Sequence, residues 1–161
     1  MKKKEFSNKI AIITGGASGI GFEVAKKIYD KGGKVVIVGR SQKVHSAIKK
    51  FKNRSKILAI SCDLTDEESV KNLVKTTLVK FKKIDILVNS AGVTGPGRIE
   101  NTSLESWEKI HKNNGTSTFL CCKYVIPHMK KKKYGKIVNV SSIAGRFRGR
   151  TSGLHYAYSK S

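Results

Sequence analysis

Eight residues, Thr14-Gly15-Gly16-Ala17-Ser18-Gly19-Ile20-Gly21, leave this chain little choice of local structure. Four of them are glycine. They stand between the apolar run Ile10-Ala11-Ile12-Ile13 and the segment Phe22 to Tyr29, whose apolar residues recur with a helical period. A short apolar run suits a strand buried in a parallel sheet, so the stretch reads as strand, glycine-rich turn and helix. Glycine accepts the positive φ that a sharp turn needs and lets a ligand approach the backbone. The new helix points unpaired N–H groups and the positive end of its dipole at the same place, which suits a phosphate. The spacing is Thr-Gly-x-x-x-Gly-x-Gly. It is not the common Gly-x-Gly-x-x-Gly fingerprint followed by an acidic residue about 20 positions on.

The remaining apolar runs alternate with helical patterns. Val35–Val38, Ile57–Ile60, Ile84–Val88 and Ile137–Val140 read as strands. Between them lie helical segments from Gln42 to about Lys52, after Asp63 with Thr65 or Asp66 as N-cap, and from Leu104 to Met129. The last of these carries two irregularities, a bend at Gly115 and a break near Pro127. Five strands separated by helices require right-handed crossovers and a parallel sheet covered on both faces. The expected fold is a doubly wound, Rossmann-like α/β domain, with residues 1–161 forming one unit.

Composition narrows the function classes. A chain of 161 residues with 39% hydrophobic residues can bury a core. No apolar run approaches the ~20 residues of a membrane span, and Met1-Lys2-Lys3-Lys4 is not followed by the apolar segment of a secretion signal. Cys62, Cys121 and Cys122 lack metal-ligand spacing and read as reduced core thiols, which points to the cytoplasm. The net charge of +22 raises the question of nucleic acid. The cations are mostly Lys without interleaved aromatic residues, whereas base readout and stacking favour Arg and aromatic rings. A solvated Lys surface is the plainer reading, with anionic partners such as a phosphorylated cofactor or an acidic carrier protein as the alternative.

In doubly wound sheets ligands bind beyond the carboxyl ends of the strands. After the second strand stands Arg40, where an acid would hold a ribose 2′-OH; an Arg there suits a 2′-phosphate, or is a solvated loop residue. After the third strand come Asp63 and Leu64, with Asp63 equally able to cap a helix. After the fourth comes Asn89-Ser90-Ala91-Gly92, small enough for a ribose to lie against the backbone. The pair Asn114-Gly115 is a poor helix former. After the fifth strand come Ser142 and then Tyr156-Ala157-Tyr158-Ser159-Lys160. A Tyr and a Lys four apart share a helix face. A neighbouring ammonium lowers the phenol pKa from its free value near 10 and brings proton transfer within range, although such a pair is often a packed Tyr beside a snorkelling Lys.

Taken in order, Thr14-Gly15-x-x-x-Gly19-x-Gly21, Asn89-Ser90-Ala91-Gly92, Asn114 after Trp107, Ser142 and Tyr156-x-x-x-Lys160 resemble the short-chain dehydrogenase/reductase family. The resemblance runs from about Lys9 to the last residue and is closest to 3-oxoacyl-acyl-carrier-protein reductases. It implies an oxidoreductase that moves a hydride between a nicotinamide cofactor and a carbonyl or secondary alcohol. NADP(H) is expected on account of Arg40, with NAD(H) as the alternative. The implied catalytic residues are Asn114, Ser142, Tyr156 and Lys160. Those implied at the cofactor are Thr14, Gly15, Ser18, Gly19, Ile20, Gly21, Arg40, Asp63, Leu64, Asn89, Ala91 and Gly92, with Tyr156 and Lys160 on the nicotinamide ribose. The implied partner is a small carbonyl or alcohol substrate, carrier-linked if Arg146, Arg148 and Arg150 hold an acidic carrier; neither nucleic acid nor membrane is implied.

Two departures from the family pattern stand out. Ser90 replaces a second Asn, and the segment from Ser142 to Tyr156 is one residue longer than usual. The family domain also continues beyond the equivalent of Ser161 with further strands and helices, and its members self-associate through them. The resemblance therefore carries the expectation of a carboxyl-terminal truncation, with a frayed last helix and an open fifth strand. A nucleotide-binding fragment without turnover is then the second reading.

Overall fold

The computed structural model describes residues 4–147 and 152–161. Strands β1 (Ile10–Thr14), β2 (Lys34–Gly39), β3 (Ile57–Ser61), β4 (Ile86–Asn89) and β5 (Lys136–Asn139) form one parallel sheet in the order β3-β2-β1-β4-β5. The helices are α1 (Gly19–Asp30), α2 (Lys43–Ala47), α3 (Glu67–Phe81), α4 (Leu104–His111), α5 (Ser117–Lys131), α6 (Ala144–Phe147) and α7 (Leu154–Ser159). This is the doubly wound α/β fold that the alternation of runs implies. The chain winds outward from β1 to β3 and then crosses to β4 and β5, so the order reverses between β1 and β4. That reversal opens a crevice at the carboxyl ends of those two strands.

Alternation along each strand feeds two cores. Ile10, Ile12, Val36, Val38 and Leu87 face Val70, Leu73, Val74, Leu120 and Val125. Ala11, Ile13, Val35, Ile37 and Val88 face Phe22, Ala25, Ile28 and Phe51. The register sets Ile12 opposite both Val36 and Leu87. Because both faces are covered, these strands read as unbroken apolar runs. Strand β5 differs: among the described residues it pairs with β4 alone, and Val138 is 51% exposed.

At the amino ends of the strands a buried carboxylate ties three partners. Asp85 accepts the Ile10 N–H at 2.9 Å and receives Lys83 at 3.1 Å and Lys132. Its own N–H reaches the Ile10 carbonyl at 2.8 Å, so the residue pairs with β1 on the approach to β4, and the regular strand starts at Ile86. Burial alone would raise the Asp85 carboxyl, but the hydrogen bonds from Lys132, Ile10 and Lys83 outweigh it and hold the group below the ordinary range.

Three details of the helices are decided by local contacts and packing. Asp66, and not Thr65, caps α3, with its carboxylate accepting the Ser69 N–H at 2.8 Å. Thr65 is already committed to Asp63, which accepts from its N–H and its hydroxyl at 2.9 Å. Between α4 and α5, where the bend was expected, the residues Lys112–Thr116 form a π-helical turn around Asn114 and Gly115. The expected break at Pro127 is absent: α5 runs through it. Val125 and Met129 are both buried on either side, so the sheet holds the helix across the missing hydrogen bond.

Candidate active site

The turn after β1 is built as its glycines demand. Gly15 and Gly19 have φ of +66° and +53°. A Cβ on Gly21 would stand 2.5 Å from the Gly15 carbonyl oxygen, so the helix starts against the turn it leaves. A Cβ on Gly19 would meet nothing within 4 Å, because that position looks into open space. Ser18, extended at the start of α1, makes no side-chain cap, and no acid occupies the first turn. The N–H groups and dipole of a 12-residue helix are thus left for an anion from outside. Ile20 lies beside them, 64% exposed.

Thr14 acts on the protein itself. Its Oγ accepts the Ser90 and Ala91 N–H groups at 3.0 Å each and fastens the glycine turn to the loop after β4. Asn89 is likewise turned away from the crevice. Its side chain is buried and donates to Asn139 Oδ1 at 2.9 Å and to Cys122 Sγ at 3.4 Å. Among the site residues proposed from sequence, these two hold the sheet and its loops in place.

A cleft opens along the crevice, lined by Gly15, Gly39, Arg40, Asp63, Leu64, Thr65, Ala91, Gly92 and Val93. Six of the expected cofactor residues, from four different strand ends, therefore border one space. Hydrogen bonds from the Thr65 N–H and hydroxyl, aided by Arg40 and Lys112, hold Asp63 below the usual carboxylate range. Cys62 also borders the cleft, but burial and the neighbouring Asp63 push its thiol up to about 11, which keeps it protonated and unreactive.

At the far end of the cleft the carboxyl-terminal motif meets the π-turn. Asn114 is buried; its Oδ1 accepts the Val93 N–H at 2.8 Å, while Nδ2 donates to the Val93 carbonyl at 3.0 Å and to Ser159 Oγ at 2.8 Å. Lys160 Nζ donates to the Val140 carbonyl at 3.0 Å. A Cβ on Gly92 would lie 3.1 Å from Asn114 Oδ1 and 3.3 Å from Lys160 Nζ, so both groups close on a cleft-lining residue where only glycine leaves room. Burial lowers the Lys160 ammonium below its ordinary value. Ser142 Oγ accepts the Ala144 N–H at 3.2 Å at the head of α6, and the neighbouring Ser141 hydroxyl donates to the Lys160 carbonyl. Tyr156 is half-buried on α7, and its carbonyl accepts from Ser159. The fold brings Asn114, Lys160 and Gly92 together and sets Ser142 just before α6 and Tyr156 on the adjoining α7.

Sequence reasoning missed α6, Val93 and Ser159. Val93 takes part through its backbone, which no side-chain pattern reveals. Ser159 stands inside the Tyr-x-x-x-Lys motif, and its hydroxyl was a legible signal. Of the three arginines assigned to a substrate loop, Arg146 lies on α6, exposed beside Phe147, and Arg148 and Arg150 fall outside the described residues.

Comparison with known proteins agrees with this geometry. The family model described as short chain dehydrogenase matches residues 9–161. The chain is 36% identical over 140 residues to a 3-oxoacyl-[acyl-carrier-protein] reductase of Synechocystis, covering 85% of this chain and 57% of that protein. It is 36% identical over 143 residues to a 2,5-dichloro-2,5-cyclohexadiene-1,4-diol dehydrogenase of Sphingobium indicum, covering 88% and 57%. It is 31% identical over 156 residues to the L-fucose dehydrogenase of Oryctolagus cuniculus, covering 96% and 54%. The chain thus spans little more than half the length of these relatives. A glycine turn facing an uncapped helix start, one cleft from Arg40 to Gly92, and a family match over almost the whole chain lead to one conclusion: the protein belongs to the short-chain dehydrogenase family of oxidoreductases.

Proposed function

We propose that the chain carries the cofactor-binding half and the proton-handling residues of an NADP(H)-dependent reductase acting on a small carbonyl compound. The observation that carries the reading is the position of Gly92: it lines the same cleft as Arg40, Asp63 and Gly15, and a Cβ on it would stand within 3.3 Å of both Lys160 Nζ and Asn114 Oδ1. The donor set fits a dinucleotide. The open start of α1 suits the pyrophosphate, Asp63 and Leu64 border the adenine end, Arg40 faces a 2′-phosphate, and Ala91 and Gly92 leave room for the second ribose.

When bound, NADPH supplies the hydride that goes to the carbonyl carbon. The chain supplies the rest. Ser142 donates a hydrogen bond to the substrate oxygen, and Tyr156 gives that oxygen its proton as negative charge develops there. Lys160 holds the ribose hydroxyls and stabilises the phenolate left on Tyr156. Because burial already disfavours its charge, a phenolate beside it is the partner that keeps the ammonium protonated. Asn114 fixes the π-turn against Val93 and Ser159, and so holds Lys160's surroundings still. In the reverse direction the same groups take the proton from an alcohol. A 3-oxoacyl thioester is the first substrate to try, since a carrier-protein reductase is among the relatives.

The test is oxidation of NADPH with 3-oxoacyl thioesters and simple ketones, followed by loss of absorbance. Tyr156→Phe is expected to lower kcat by about 10²–10⁴-fold with NADPH affinity kept, because only the proton donor is removed. Turnover undiminished in Tyr156→Phe contradicts the assignment. A folded chain that binds NADPH and reduces nothing across the panel supports the second reading, a nucleotide-binding unit without turnover.

A further inference from the structure

We infer that His155 is the positioning residue for Tyr156 and Lys160, its imidazole serving as the anchor of α7; the inference rests on the reading of those two residues as the proton-handling pair. A helix of six residues is too short to sustain itself, because nucleation is costly and few hydrogen bonds follow. The order of α7 must therefore come from its contacts. Leu154 and Tyr158 are largely exposed, while His155 is the only buried residue of this helix, at 0% exposure.

The ring occupies a slot made by two glycines. A Cβ on Gly95 would stand 2.6 Å from Nε2, and one on Gly153 would stand 2.5 Å from Cε1. The two backbones are joined, with the Gly153 N–H donating to the Gly95 carbonyl at 2.8 Å. His155 Nε2 lies 3.2 Å from Ser106 Oγ on α4, and Nδ1 is buried without a partner among the described residues. One imidazole thus links the loop after β4, helix α4 and the head of α7, one residue before Tyr156. Any apolar ring would fill the slot. What the imidazole adds is a directed bond to Ser106 that fixes its rotation. Consecutive residues on a helix are separated by about 100°, so fixing the direction of His155 fixes that of Tyr156. The other ties of α7 act farther along: Trp107 and His111 stack on Tyr158, and Asn114 holds Ser159.

The test uses His155→Phe, which keeps the ring volume, Ser106→Ala, which removes the partner, and Gly95→Ala, which pushes the ring off Ser106. His155→Gln, whose amide nitrogen reaches where Nε2 does, is the rescue. Amide hydrogen exchange is read in α7 and α1, together with NADPH affinity and kcat on a 3-oxoacyl thioester. In the first three variants exchange in α7 is expected to quicken by about tenfold or more while α1 keeps its protection. NADPH affinity should stay within about threefold and kcat fall by about tenfold, the scale on which small misplacements act. His155→Gln should restore most of each effect. Unchanged exchange and kcat in His155→Phe overturns the inference, because the bond to Ser106 is then idle. Equal loss of protection in α1 and α7 overturns it too, because the ring is then general core filling. An unsubstituted chain that binds NADPH and protects α7 but never turns over refutes the catalytic reading alone, and the exchange comparison still decides the anchor.

Discussion

Arg40 stands at the mouth of the cleft, after β2, where a carboxylate would repel a phosphate and hold two ribose hydroxyls instead. A charge-assisted bond to a 2′-phosphate contributes about 1.5–3 kcal/mol, which corresponds to about 10–100-fold in affinity. Arg40→Asp is therefore expected to weaken NADPH by that factor and to strengthen NADH, measured as dissociation constants by fluorescence titration. Equal effects on the two cofactors would show that Arg40 faces solvent. Asp63 shows how two sequence readings can both hold: it accepts from Thr65 as a turn residue and also borders the cleft. Thr14 and Asn89 show the opposite case. Their place in the motifs was legible, but the atoms they bind are inside the protein, and only the fold reveals which way a side chain at a strand end turns.

At the scale of elements, the glycine turn gives a graded prediction. Gly19→Ala meets no atom, but the residue keeps φ at +53°, a strain of about 1–2 kcal/mol. Gly21→Ala drives a methyl onto the Gly15 and Thr14 carbonyls, which cannot move without opening the turn. Melting curves with and without NADPH should show Gly19→Ala a little less stable and still stabilised by the cofactor, and Gly21→Ala less stable with no response to it. The reverse order would refute the geometry of the turn. The strands were legible because each is buried on both faces and so reads as an apolar run; the boundaries shift by one or two residues where a polar group such as Asp85 supplies part of the ladder. Pro127 was misjudged because local rules count a missing hydrogen bond, whereas Val125 and Met129 hold the helix from both sides. Helix α7 was legible only as a Tyr-Lys spacing, since His155 gains its meaning from Gly95 and Ser106, both far away in sequence.

Over the whole molecule, the two ends of the sheet divide the labour. The carboxyl end carries the cleft; the amino end is held by Asp85, which ties Ile10, Lys83 and Lys132. Its carboxyl is lowered in the folded chain, so the unfolded chain binds its proton first as the pH falls. The stabilisation is whole at pH above the unfolded carboxyl value and disappears as the pH falls through the lower folded one. Asp85→Asn should lower stability at pH 7 by about 2 kcal/mol, and the difference from the unsubstituted chain should narrow below about pH 4 in denaturant titrations. A constant difference across that range would exclude the ion pairs as its source. The central claim is that the cleft between β1 and β4 takes a pyridine dinucleotide phosphate, and calorimetric titration of the folded chain with NADPH and NADH tests it most directly. The expected result is a single site per chain with NADPH at least about tenfold tighter than NADH. Absence of heat with both dinucleotides, from protein whose melting curve shows it folded, would contradict it.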